Sequence, residues 1–218
     1  HTRSLCDWSS DVCSSDLTSC LHSPARINQY PQDYASKTLL GQVYMRQARE
    51  LGDVASHRLA ESAFRSALET SKNATAAQVY LIDTLQSQHQ FQSAYEQAVR
   101  ALEAIPGNPL ALLGKGDAAL ELGNVDEAER IFAALAAQQK QPAVIARVAR
   151  VQELRGETAA AIASLQQARQ LATAVDAGAK ATAWYSFRLG TIHAAVGDYD
   201  RAIAAYENGR QLNPLSTA

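Results

Sequence analysis

Four positions separated by seven, five and four residues recur along this 218-residue chain, and that recurrence constrains its fold more than any other feature. Gly190, Gly197, Ala202 and Tyr206 show it most cleanly, and Gly116, Gly123, Ala128 and Phe132 repeat it. Ala149, Gly156, Ala161 and Leu165 follow the same spacing, and Ile82, His89, Ala94 and Ala98 carry a worn copy. Gly41 with Ala60 and Phe64 fits once seven residues are inserted. The equivalent alanines Ala60, Ala94, Ala128, Ala161 and Ala202 stand 34, 34, 33 and 41 residues apart. A fixed period of this length marks stacked copies of one small structural unit.

Each copy reads as two antiparallel helices. In the last, Ala183–Val196 is expected to form the first helix and Asp200–Leu212 the second, with Gly197 in the left-handed turn that ends a helix. Gly52-Asp53, Gly123-Asn124 and Gly156-Glu157 occupy equivalent turns. Asn108 can cap a helix that opens at Pro109, where the missing N–H costs nothing, and Pro142 opens a helix one unit later. Strand patterning is absent, so the chain is expected to be all-α. The small residues Gly116, Ala149 and Gly190 let the two helices of a unit approach closely, as do Ala128, Ala161 and Ala202 from the other side. Phe132, Leu165 and Tyr206 are expected to fill space toward the next unit.

This pattern resembles the tetratricopeptide repeat (TPR). The resemblance implies a right-handed α-solenoid of about five helix pairs, in which stability comes from stacking neighbours. The units are placed at 34–74, 75–108, 109–141, 142–182 and 183–218, after a partial preceding helix or linker at 18–33. The first unit is expected to hold a long inter-helix turn around Gly52–His57, and the fourth an extended exit loop at Ala172–Lys180. Pro31 falls where an earlier unit would end, and the chain stops six residues after Leu212, which gives the expectation of a longer array. Tyr44–Asp53, Ala149–Gly156 and Ala181–Trp184 resemble a group of bacterial, often exported, repeat proteins. Localisation is left open between the bacterial cytoplasm and export to the periplasm.

Residues 1–17 are set aside as a non-native leader. Residues 6–17 match one translated frame of an adapter oligonucleotide used in short-read sequencing, and His1 stands where a starting Met would be. Cys6 and Cys13 go with that leader, leaving Cys20 without a disulfide partner to argue from. One positive charge (Arg3) and three negative ones (Asp7, Asp11, Asp16) go too, so the formal −2 becomes zero. Neutrality with lysine only at 37, 72, 115, 140 and 180 argues against a surface that tracks phosphates, so no nucleic-acid partner is expected. No apolar run reaches the roughly 18 residues that span a bilayer.

In arrays of this kind the first helix of each unit lines a concave groove, as the resemblance implies. Helical spacing places five triplets there: Thr38, Gln42 and Met45; Val79, Asp83 and Gln86; Leu113, Asp117 and Leu120; Ala146, Arg150 and Glu153; Phe187, Thr191 and Ala194. The expected partner-binding residues are Gln42, Asp83, Gln86, Asp117, Arg150, Glu153, Phe187 and Thr191. A groove so lined suits an extended or helical peptide with apolar anchors and some basic character. It departs from arrays that clamp carboxylate tails, since Gln42, Asp83 and Asp117 stand where a clamp would carry Asn or Lys. Arg147 and Arg188 could contact an anion, but no Lys/Asn set accompanies them.

Catalytic signals are weak. His22, His57, His89 and His193 are scattered over different helices and turns, and Cys20 with His22 makes a two-ligand pair where structural zinc takes about four. Asn73-Ala74-Thr75 fits the glycosylation pattern but also suits a turn, and Gly114-Lys115-Gly116 lacks the rest of a phosphate loop. No enzyme activity, cofactor or metal is expected. The function expected is an interaction scaffold for a peptide or partner protein. The alternative is the repeat portion of a larger transferase or signalling kinase.

Overall fold

The computed structural model describes residues 32–214 apart from Asp176. The adapter-like leader, Cys20, His22 and the Ser23–Tyr30 segment lie outside the described residues. Ten helices and no strand occur among the described residues: α1 (Tyr34–Leu51), α2 (Val54–Thr70), α3 (Thr75–Ser87), α4 (Phe91–Ala104), α5 (Pro109–Glu121), α6 (Val125–Gln138), α7 (Pro142–Leu154), α8 (Thr158–Ala174), α9 (Ala179–Ala195) and α10 (Tyr199–Leu212). The fold is an all-α helical repeat. The chain divides into two compact units, one up to Ala118 and one from Ala119. In the first, α1 pairs with α2 and α3 with α4, while α3 also packs on α2 and α1. In the second, α7 pairs with α8 and α9 with α10, and contacts of α6 with α7 and of α8 with α9 join successive elements.

Local chemistry sets the helix ends. Asn108 Oδ1 accepts from the Leu110 and Ala111 N–H groups, both at 3.0 Å, which satisfies donors left open at the start of α5. Asp53 does the same for α2, accepting from Ala55 N and from the Ser56 hydroxyl at 2.6 Å. Those bonds, the hydroxyl's foremost, hold its carboxyl below the usual range. Pro142 opens α7 as expected, although Gln141 gives it no side-chain cap. Gly197 turns the chain between α9 and α10 with φ +78°, and Asp198 then accepts from Arg201 N. His89 takes the equivalent left-handed position at φ +58° despite its Cβ.

The expected long turn in the first helix pair is corrected. Only Gly52 and Asp53 separate α1 from α2, and the inserted residues lengthen the helices to 18 and 17 residues against 13 and 14 in α3 and α4. No proline interrupts Tyr34–Leu51 or Val54–Thr70, so extending each helix keeps its hydrogen bonds where a loop would expose them. The expected exit loop at Ala172–Lys180 shrinks for the same reason. Helices α8 and α9, each of 17 residues, enter it from both sides.

The alanines of the repeat are core residues: Ala60, Ala94, Ala128 and Ala161 have no exposed surface. Around Ala60 and Ala94 cluster Met45, Phe64, Leu81, Ile82 and Leu85; around Ala161 cluster Ile145, Leu165, Tyr185, Leu189 and Ile192. Gly41 and Gly190 are sites of close approach, since a Cβ at Gly41 would lie 2.5 Å from Phe64 Cε1 and one at Gly190 2.6 Å from Tyr206 Cε1. Phe64 and Tyr206 therefore each pack on the glycine of their own helix pair, a role additional to the one expected of the bulky position toward the next unit. Phe64 does both, because its other face stacks on Tyr80 of α3 at 5.8 Å.

Candidate partner-binding face

A residue four positions along a helix is rotated about 40° from the first, while one seven positions along returns to within about 20° of it. That geometry explains how the five expected triplets are split. The flanking residues Thr38, Met45, Leu120 and Ala146 are buried, with Met45 only 1% exposed, so they belong to the core and not to a lining surface. Middle residues turn outward: Asp83, Arg150 and Thr191 are exposed, and Gln42 and Asp117 half-buried. Gln86, Glu153 and Phe187 are also half-buried. All eight expected binding residues thus reach the surface, at the margin of the core.

Polar bonds between successive first helices organise this face within each unit. In the first unit Arg49 on α1 pairs with Asp83 on α3 at 3.3 Å, and the Gln86 amide donates to the Gly114 carbonyl on α5 at 2.7 Å. In the second, Arg150 on α7 pairs with Glu121 on α5 at 3.5 Å, and Arg188 on α9 with Glu153 on α7 at 2.7 Å. Exposed pairs of this kind add at most about 1 kcal/mol, but they cancel local charge. The acidic character expected at Asp83 is therefore offset by Arg49, a residue the sequence reading passed over. The available signal was the separation: the three ion-paired couples lie 34, 29 and 35 residues apart, close to the repeat period.

The second unit also contains a cleft of about 280 Å³ between α7 and α9. Arg147, Arg150 and Glu153 line it from α7, Trp184, Tyr185 and Arg188 from α9, with Ala146, Ala149 and Leu165 among the apolar walls. Trp184 is 49% exposed and meets the buried Tyr185 ring edge-on at 5.2 Å. Burial pushes the Tyr185 hydroxyl up in pKa, against the opposing effect of the Arg147 charge. Sequence spacing brought Arg150 and Glu153 to this place and flagged Arg147 and Arg188 separately. It missed Trp184, which lies on the next turn of α9 from Arg188.

The described histidines stay apart. His89 forms the left-handed turn and touches Phe91 edge-on, while His193 is 7% exposed in α9 with Nδ1 3.6 Å from Asp198 Oδ2. His57 lies in α2. Among the described residues no group of three His, Cys, Asp or Glu could hold a metal ion, and no helix is long and apolar enough to cross a membrane.

Family models described as tetratricopeptide repeat match residues 85–151 and 185–214. Among solved structures, the APC/C hetero-tetramer Cut9–Hcn1 is similar with a TM-score of 0.77 at 20% identity; the match covers 93% of this chain but 38% of that one. TTC0263, a thermophilic TPR protein of Thermus thermophilus, gives 0.67 at 19% identity, covering 81% of this chain and 93% of that one. PilW, a type IV pilus biogenesis factor, gives 0.67 at 18% identity, covering 93% and 87%. At these identities the likeness shows the fold alone. No match was found among curated proteins.

Proposed function

Since this chain is a tetratricopeptide-repeat protein, and such repeats are protein-interaction scaffolds, we propose that it holds an extended or helical segment of a partner protein against its first helices. The observation that supports this is the margin of polar residues, Gln42, Asp83, Gln86 and Asp117 in one unit and Arg150, Glu153 and Thr191 in the other, that stays at the surface beside half-buried apolar side chains such as Val79, Leu113 and Phe187. Apolar side chains supply anchoring area, and polar neighbours supply register and selection. On the second helices Ala60, Phe64, Ala94 and Ala161 are fully buried in packing within and between pairs.

The test compares capture of partners by the immobilised protein, by Asp83→Lys with Asp117→Lys, and by Glu129→Lys on α6. The first-helix variant is expected to stay folded with a small loss of stability, since Asp83 is exposed with an Arg49 pair worth at most about 1 kcal/mol and Asp117 is half-buried; its melt is read beside capture. It should lose its partner, and Glu129→Lys should keep it. Loss with Glu129→Lys together with full retention by the double variant would move binding to the second helices and defeat the proposal.

A further inference from the structure

Helix α10 packs on α9 and carries, besides that buried side, a row of exposed apolar residues. Tyr199, Ile203 and Tyr206 keep 67%, 56% and 39% of their surface exposed. At the position of Tyr206 the other described helix pairs place Phe64, Ala98, Phe132 and Leu165, none more than 2% exposed. The row therefore continues a surface that every other pair buries. Spacing of four, three and four residues sets Tyr199, Ile203, Tyr206 and Arg210 along one side of the helix. Asp200 stands beside the row in the first turn of α10, and Arg210 ends it in the last. Neither charge has an ion-pair partner among the described residues, whereas Asp198 and Arg201 of the same helix pair at 3.1 Å.

We infer that this face joins two copies of the chain, α10 against α10, in a symmetric antiparallel dimer. A row spaced four, three and four is its own reversal, so a second α10 laid antiparallel matches it position for position. Each Ile203 then meets Tyr206 of the second copy, and each Arg210 meets the ring of its Tyr199 with Asp200 one residue beyond. A guanidinium is attracted both to a tyrosine face and to a carboxylate, and two-fold symmetry supplies that match at both ends of the helix. A parallel arrangement would set Arg210 on Arg210 and Asp200 on Asp200. Such a two-fold contact closes at two copies. One helix face is a small interface, so the dimer is expected to form at about 10–100 µM.

Sedimentation velocity follows the full chain from about 1 to about 200 µM, with reductant present because the chain has three cysteines. A monomer–dimer equilibrium is expected. Ile203→Asp should weaken it at least about tenfold, with helicity and melting at low concentration unchanged, since the residue is more than half exposed. Arg210→Glu should weaken it about threefold or more by setting a carboxylate against Asp200, and adding Asp200→Lys should recover most of that loss. Glu96→Lys on α4 should leave it unaltered. A monomer throughout would overturn the inference and give the face to a helix of another chain. Indifference to Ile203→Asp, no recovery in the paired charge exchange, or growth beyond two copies would overturn it as well. Partner capture through Asp83 and Asp117 is read separately, so the dimer and the binding face can each fail without the other.

Discussion

The first and last described helix pairs make the same glycine–aromatic contact with opposite exposure. Phe64 sits on Gly41 and is fully buried, whereas Tyr206 sits on Gly190 and keeps 39% of its surface exposed. The distance from ring to glycine barely differs, so the contact within a pair is set by the pair. What differs is the cover: Tyr80 of α3 stacks on Phe64, while among the described rings Tyr206 meets Phe187 of its own helix pair at 6.5 Å in a tilted arrangement. A repeat protein thus has two separable layers of packing, one inside each helix pair and one supplied by the neighbouring pair. The contrast between the two aromatics measures the second.

Truncation probes this most strongly. Phe64→Ala is expected to cost about 3–5 kcal/mol, the range for a fully buried aromatic, and Tyr206→Ala no more than about half of that, both read from denaturant melts. Equal costs would mean that the neighbour contributes little. Filling the glycines comes next: Gly41→Ala should destabilise by about 1–3 kcal/mol because the sealed Phe64 ring has nowhere to move. Gly190→Ala should be close to neutral, since Tyr206 can swing toward solvent and alanine gains about 1 kcal/mol of helix propensity. A Gly190→Ala penalty as large as that at Gly41 would break the comparison.

The turns serve as its control. A Cβ at Gly52 or Gly197 would meet nothing within 4 Å, so only the left-handed backbone resists alanine. Both substitutions should therefore cost about 1 kcal/mol, alike in the first and last pairs. A larger cost at Gly52 would show that the first pair is more sensitive for reasons unrelated to cover. The smallest effect is expected for Tyr206→Phe, within about 0.5 kcal/mol, because its hydroxyl reaches Thr191 only at 3.5 Å beside solvent.

Helix pairing, turn glycines and the Asn108 cap were legible because each rests on residues close together in sequence, whose conformational preferences act locally. His89 was legible as a worn glycine for the same reason. The fate of the seven inserted residues was not: spacing records that residues are added, while the choice between loop and longer helix depends on hydrogen bonding and packing along the whole element. The ion pairs Arg49–Asp83 and Glu153–Arg188 join residues a full repeat apart and needed the stacking to be known first. The surface of the first helices, the proposed binding face, was partly legible. The triplet rule identified the surface margin but put Met45 and Thr38 on it, because a rotation of about 40° separates lining from core and periodicity alone does not say on which side the core lies.

The central claim, that the first helices carry the partner, is tested most directly by photo-crosslinking. A benzophenone amino acid is placed singly at Gln42, Gln86 or Thr191 on first helices, and at Glu96 or Glu207 on α4 and α10, all of them half-buried or exposed positions. Irradiation with the captured partner, followed by mass spectrometry, reads which positions form adducts. Partner adducts from Gln42 and Gln86 in one unit and from Thr191 in the other, with none from Glu96 and Glu207, are the predicted result. Adducts confined to Glu96 and Glu207 would contradict the account.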